Sequence, residues 1–215
     1  MKIARVFSGS INNRKGKFNN IFERVKNLNN VEDIQNDVFF IQFTYDKFFS
    51  FFKKIEVKVK EETIIEGVTF KNLWVNISLW EYIITHRLKL RDIVGKNQVS
   101  KYINLFKEYD IILSHDLLSS YLALGVKKQY KIPFVITWHG SDINKYPFTN
   151  SKTYKTVKKL LKKADYNFFV SKKLQKISDS IVKTSNKTHL YSGPSDNFYL
   201  PSPSQKVQCK NKLKI

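Results

Sequence analysis

Phe134-Val-Ile-Thr-Trp-His-Gly-Ser-Asp142 is the stretch that decides how this chain folds. Phe134, Val135 and Ile136 suit a short strand covered on both faces, and Pro133 suits strand entry. Gly140 then allows a sharp turn or a close approach to a ligand. In an open α/β sheet, ligands bind beyond the carboxyl ends of the strands. His139 and Asp142 therefore stand where chemistry is expected, with Gly140 and Ser141 between them.

On both sides of this stretch the pattern alternates. Asp110 to Ser114 reads as a strand, Leu117 to Gln129 as a helix, and Ser151 to Ala164 as a helix. Tyr166 to Val170 is a strand, Ser171 to Val182 a helix, and Thr188 to Tyr191 a strand. Such alternation predicts right-handed βαβ units and a parallel sheet flanked by helices. Further upstream, Ile3 to Phe7 is a strand. Ser8, Gly9 and Ser10 open a polar loop, and Phe18, Ile21, Phe22, Val25 and Leu28 recur at helical spacing. This unit is either an ordinary βα turn or a loop whose helix N-terminus faces an anion. Val38 to Thr44 is a second strand, and Ile55 to Lys60 alternates like a half-exposed one. Thr63 to Phe70 is a hairpin turning near Gly67, and Leu73, Val75 and Ile77 extend its alternation. Leu79 to Tyr109 is helical with a break near Gly95; Val99, Tyr102, Ile103 and Phe106 form one apolar face.

Composition narrows the classes. The 215 residues are 42% hydrophobic, enough for a real core, and the formal net charge is +20. Such a charge attracts anions: nucleic acid, an anionic membrane surface or phosphorylated ligands. A general lysine bias accounts for it equally well. One cysteine, Cys209, excludes an intrachain disulfide and a multi-cysteine metal site. There is neither a signal-peptide pattern at Met1 nor an apolar run of the roughly 20 residues a spanning helix needs. The expectation is a cytoplasmic protein, soluble or peripheral on the inner face of the membrane. Phe48, Phe49, Phe51 and Phe52 beside Lys53 and Lys54 are either core or a membrane-dipping segment. Lys152, Lys155, Lys158, Lys159, Lys162 and Lys163 lie opposite the apolar residues of their helix. They form either a solvated face or one turned to an anionic surface. No Asp-x-Asp pair occurs, so no metal is indicated. No helix-turn-helix, zinc or RNP pattern occurs either, so a basic nucleic-acid-binding protein ranks lowest.

Three segments carry a family likeness. They are Tyr109-Asp-Ile-Ile-Leu-Ser-His115, Ile132-Pro-Phe-Val-Ile-Thr-Trp-His-Gly-Ser-Asp142 and Lys163-Ala-Asp-Tyr-Asn-Phe-Phe-Val-Ser171. In order and spacing they resemble the N-terminal domain of family 4 glycosyltransferases of the GT-B fold. Ser192-Gly-Pro-Ser-Asp-Asn-Phe198 is similar to that family's exit segment, with Gly-Pro-Ser-Asp where the family has Asn-Gly-Val-Asp. The resemblance implies a Rossmann-like α/β domain over residues 1–193, the N-terminal half of a GT-B fold, with a small hairpin insertion. Residues 194–215 would be a linker and the start of a C-terminal donor-binding domain that is missing. It implies a retaining transferase moving a sugar from a nucleotide-sugar, the co-substrate, to a glycan or lipid-linked acceptor. Cell-surface polysaccharide synthesis is the expected setting. A chain so truncated would be inactive alone and would need a separate C-terminal-domain subunit, or would be a non-catalytic acceptor-binding or membrane-recruiting subunit.

By the same resemblance His139 lies beside the transferred sugar, and Asp142 orients its loop or contacts the acceptor. Gly9 and Ser10 approach the donor phosphates, and His115, Gly140 and Ser141 complete the substrate site. From the residues alone, His139 also reads as a strand-end cap, His115 as packing behind the site, and Asp142 as a stabiliser of its own turn.

Overall fold

The computed structural model describes residues 1–9, 17–28, 33–45, 60–87 and 95–190. Ser10, the Phe48–Lys54 run, residues 55–59 of the strand expected up to Lys60, the exit segment, and the linker and strand expected after Pro194 lie outside them.

Strand β1, Lys2–Ser8, leads to helix α1, Lys17–Leu28. Then come β2 (Gln35–Tyr45), β3 (Glu62–Ile65) and β4 (Val68–Ile77), and helices α2 (Leu79–Arg87) and α3 (Lys96–Val99). A 3-10 turn over Ser100–Phe106 feeds β5, Ile111–Ser114, and the helix α4, Leu117–Tyr130. Strand β6 is Phe134–Trp138, followed by the short α5 (Ser141–Asn144) and a 3-10 turn at Tyr146–Phe148. Helix α6 (Ser151–Lys163), strand β7 (Tyr166–Phe169), helix α7 (Lys172–Ile181) and strand β8 (Lys187–His189) complete the described chain.

The described strands form one sheet in the order β3-β4-β2-β1-β5-β6-β7-β8. Every pair is parallel except β3 with β4. The hairpin is thus built into the sheet edge. Its longer arm, β4, pairs with β2 over Val38↔Phe70 to Tyr45↔Ile77, and its shorter arm takes the edge. Glu66 and Gly67 both have positive φ, 46° and 80°. That is the backbone of a two-residue turn whose twist matches a hairpin.

Alternate residues of each strand serve opposite layers. Ala4 and Val6 join the larger core with Ile112, Ile136, Trp138, Leu122, Val157 and Leu160 under helices α3 to α7. Phe7, of the opposite parity, joins Phe40 and Phe70 under Phe18, Ile21, Phe22 and Val25 of α1. The Phe7 and Phe40 rings lie 4.8 Å apart, and Phe18 stacks on Phe70 at 5.8 Å. Such pairs add about 0.5–1.5 kcal/mol each beyond the area they bury. The sheet is covered on both faces, which is why β6 is buried from end to end.

The motif residues at the N-terminal end of this sheet act as clamps. Asp165 accepts from the Phe134 amide (2.9 Å) and from Lys127 Nζ (2.7 Å). Asn167 accepts from Trp138 Nε1 (2.9 Å) and donates to the Leu161 carbonyl (3.0 Å). Among the described residues, no helix is long and apolar enough to cross a membrane.

Candidate functional site

Strand order turns at β1. Its neighbour on one side, β2, follows it directly, whereas its neighbour on the other, β5, arrives after the whole β2–β4 excursion. Connections leave the two strands toward opposite faces, so a crevice opens beyond their C-terminal ends. Ser8 and Gly9 stand at the end of β1, His115 at the end of β5, and His139 at the end of the next strand, β6.

Asp116 ties this crevice together. It is the N-cap of α4, and its Oδ1 accepts from the Ser119 amide at 2.9 Å. Ser119 Oγ in turn accepts from the amides of Asp116 and His115, both at 3.1 Å. This reciprocal cap satisfies amides that a helix start leaves open. The other carboxylate oxygen, Oδ2, accepts from the Ser8 amide at 2.6 Å. One residue therefore fixes the exit of β1 against the exit of β5. The spacing Asp116-x-x-Ser119 carries the signal of the helix cap in the sequence, but not that of the contact to Ser8.

His115 is fully buried at 0% exposure. Its Nε2 lies 3.3 Å from Nη1 of Arg5, and its Nδ1 lies 3.1 Å from Nε2 of His139. The two imidazoles are 5.3 Å apart and tilted by 36°. The edge of Phe7 packs on His115 from the α1 side, at 6.4 Å and 85°. His139 is half-buried and so stands in front of His115.

Arg5 is the residue that periodicity alone passes over. It sits within Ile3–Phe7, a run that reads as plain apolar strand, and it is buried at 3% exposure. No ion pair among the described residues includes it, and its Nε has no hydrogen-bond partner. Burial, and secondarily repulsion from Arg24 on α1, push its pKa down to about 10. It still carries its charge at neutral pH. An arginine inside an apolar run is the signal that could have found it, since charged groups are rarely buried unpaired.

The remaining predicted residues fall into place unequally. Gly140 has φ 149° and ψ −90°, and nothing lies within 4 Å of where a Cβ would project. Space is open there, but the backbone is one that L side chains rarely adopt. The Gly140 carbonyl accepts from the amides of Ile143 and Asn144, both at 2.9 Å. The turn thus runs straight into α5. Asp142 is buried in that first turn at 9%, and Ser141 is exposed. Gly9 donates its amide to the Ile41 carbonyl at 3.2 Å. It lacks a positive φ, and a Cβ there would meet the Phe40 ring at an ordinary 3.5 Å. Packing does not demand a glycine at position 9. No group of three or more metal-ligating side chains occurs among the described residues.

The model of the protein family Glycosyltransferase Family 4 matches residues 61–188, more than half of the chain. The chain belongs to glycosyltransferase family 4. The match spans the β3–β4 hairpin through β8, and so includes His115, His139, Gly140 and Asp142. A search of curated protein sequences finds no match. Solved structures share the fold at low identity. HepE from Anabaena, in complex with UDP, superposes with a TM-score of 0.63 at 14% identity, over 100% of this chain and 50% of that one. The lipopolysaccharide outer core galactosyltransferase WaaB, in its apo form, gives 0.60 at 14%, over 94% and 50%. Sucrose-phosphate synthase from Thermosynechococcus elongatus gives 0.57 at 12%, over 100% and 52%. The family 4 chain has the Rossmann-like fold of an N-terminal GT-B half and spans about half the length of these structures.

Proposed function

We propose that this family 4 chain is the acceptor-side half of a retaining glycosyltransferase. It would move a sugar from a nucleotide-sugar to a glycan or lipid-linked acceptor in cell-surface polysaccharide synthesis, at the cytoplasmic face of the membrane. The observation that carries this reading is the histidine pair at the ends of β5 and β6, backed by buried Arg5 and set beside the exit of β1.

In glycosyl transfer the C–O bond to the diphosphate breaks and a C–O bond to the acceptor hydroxyl forms. The hydroxyl proton leaves with the diphosphate. The sugar passes through an oxocarbenium-like state, as in glycoside hydrolysis. The half described here contributes positioning. His139 hydrogen-bonds the transferred sugar, the turn fixed by Gly140 and Asp142 borders the acceptor, and the Ser8–Gly9 exit faces the donor phosphates. With no metal indicated, amides and basic side chains balance the diphosphate charge. The donor nucleotide and most of its contacts belong to a second Rossmann-like half, encoded after Ile215 or on a separate chain.

The test joins residues 1–215 to such a half, taken from the downstream or neighbouring coding sequence, and assays sugar transfer from UDP-sugars to lipid-linked acceptors. Transfer that needs both halves and His139 supports the reading. Transfer unaffected by loss of His139 overturns it.

The basic face of α6 favours a second reading, a membrane-recruiting subunit. Lys152, Lys155, Lys159, Lys162 and Lys163 are exposed opposite Val157, Leu160 and Leu161. Salt-sensitive binding to anionic vesicles, without binding to neutral vesicles or duplex DNA, supports it. Binding to DNA alone would replace it with a nucleic-acid partner.

A further inference from the structure

A guanidinium has only donors to offer. Arg5 Nη1 faces His115 Nε2 at 3.3 Å, so that nitrogen must accept. Neutral His115 then carries its proton on the other nitrogen, Nδ1. That nitrogen faces Nε2 of His139 at 3.1 Å, and with one proton between them, His139 Nε2 must accept. The only place left for the ring proton of neutral His139 is Nδ1. A second proton on either ring would set two donors against each other, at one contact or the other.

We propose that Arg5, acting through His115, fixes His139 in the tautomer protonated at Nδ1, which makes Arg5 and His115 positioning residues of the site. His139 then works as a hydrogen-bond donor through Nδ1, and its Nε2 is held by His115 and unavailable as a base. Such second-layer control of a histidine by the partner of its other nitrogen is general chemistry. The burial of Arg5 supports this assignment. Its uncompensated charge, crowded by Arg24, costs stability instead of adding it. A charge kept at such a place is accounted for by what it does to His115, its one side-chain partner among the described residues. The catalytic meaning of the donor role rests on the proposed transfer reaction; the placement of the proton does not.

The experiment is long-range ¹H–¹⁵N correlation spectroscopy of the whole chain with labelled histidine, at about pH 8, where free imidazole is neutral. The expected spectrum shows His139 protonated at Nδ1 and bare at Nε2, and His115 likewise. Arg5→Met should release both rings into mixed tautomers while the melting temperature stays the same or rises. Arg5→Lys, which restores a donor, should recover part of the original signal. Should Arg5→Met fail to fold, His115→Phe carries the test: it packs beside Phe7, removes the partner of His139 Nε2, and should mix the His139 tautomers. A wild-type His139 protonated at Nε2, or one unchanged in the folded variants, overturns the proposal. Absence of sugar transfer in the joined two-half protein, with the tautomer pattern intact, would instead count against the transferase reading.

Discussion

The two ends of the sheet are both polar and are built on opposite terms. At the N-terminal ends of the strands, Asp37 accepts from Tyr109 Oη (2.7 Å), Lys71 Nζ (3.0 Å) and Gln35 Nε2 (3.1 Å). Asp110 accepts from the Lys2 amide at 2.7 Å, and Asp165 closes β6 onto β7 in the same way. Each of these three carboxylates meets donors. At the C-terminal ends, a buried arginine has no carboxylate partner among the described residues, two imidazoles face each other, and Gly140 holds an unusual backbone. The satisfied end carries stability. The unsatisfied end carries cost, and such cost clusters where a site must be shaped in advance.

Breaking the pair at the costly end should produce the largest effect, on rate alone. In the two-half enzyme, His139→Ala should lower kcat by about 10²–10³-fold, as loss of one preorganised donor does. Its melting temperature should barely move, because the ring is half-buried at a loop. A loss of stability that matches the loss of rate would erase the distinction between the two ends.

Gly140→Ala should show a mixed effect. The space is open, so the penalty is backbone strain, about 1–3 kcal/mol of stability. Relief of that strain would move His139 and cost activity as well. Denaturant unfolding together with the transfer assay checks both, and a fully stable, fully active variant would mean the turn can relax freely.

Tyr109→Phe is the mirror experiment. It removes a hydrogen bond to Asp37 at the satisfied end and should cost about 1 kcal/mol of stability with activity unchanged. A drop in kcat would show that the ends are coupled through β5.

The smallest effect is on the pH dependence of stability. Burial pushes the Asp37 carboxyl up, but hydrogen bonds from Tyr109, Lys71 and Gln35 and the charge of Lys71 outweigh it and hold its pKa below the ordinary value. The unfolded chain therefore binds this proton first on acidification. The contribution is whole above about pH 4 and is lost as the pH falls through the depressed folded value. Asp37→Asn should flatten the acid limb of a melting-temperature profile below about pH 5. An unchanged limb would show that other carboxylates dominate. Tyr109 reports the same contact from the other side: burial, then the Asp37 carboxylate, pushes its phenol upward.

Much of the architecture was legible because the signals are local. Period-two and period-three-and-a-half patterns located β1, α1, β2, the hairpin, β5, α4, β6, α6, β7, α7 and β8, with ends shifted by up to three residues, while the short α5 went unread. Gly67 announced the turn, because glycine accepts a positive φ without strain, whereas Glu66, which shares that backbone, gave no such signal. The expected break at Gly95 is where α3 begins. Of the site, His139, Gly140 and Asp142 could be singled out because a strand stops at a glycine there. Periodicity passes over Arg5, because one charge in five residues barely disturbs an apolar run; only its being a charge inside that run marks it. The part played by Asp116 could not be read, because its partner Ser8 lies 108 residues away.

The sequence by itself determined the alternation of strands and helices, the parallel sheet, and the place along β6 where chemistry would gather. Tertiary structure alone decided that the hairpin's β4 lies second in the sheet, between β3 and β2, and that β1 and β5 are neighbours despite the excursion between them. That adjacency decided the rest: Arg5 meets His115, His115 meets His139, and Asp116 holds Ser8. The physical reason is range. Periodicity follows from contacts a few residues apart, whereas a proton's position on an imidazole depends on which donor the fold brings to its other nitrogen.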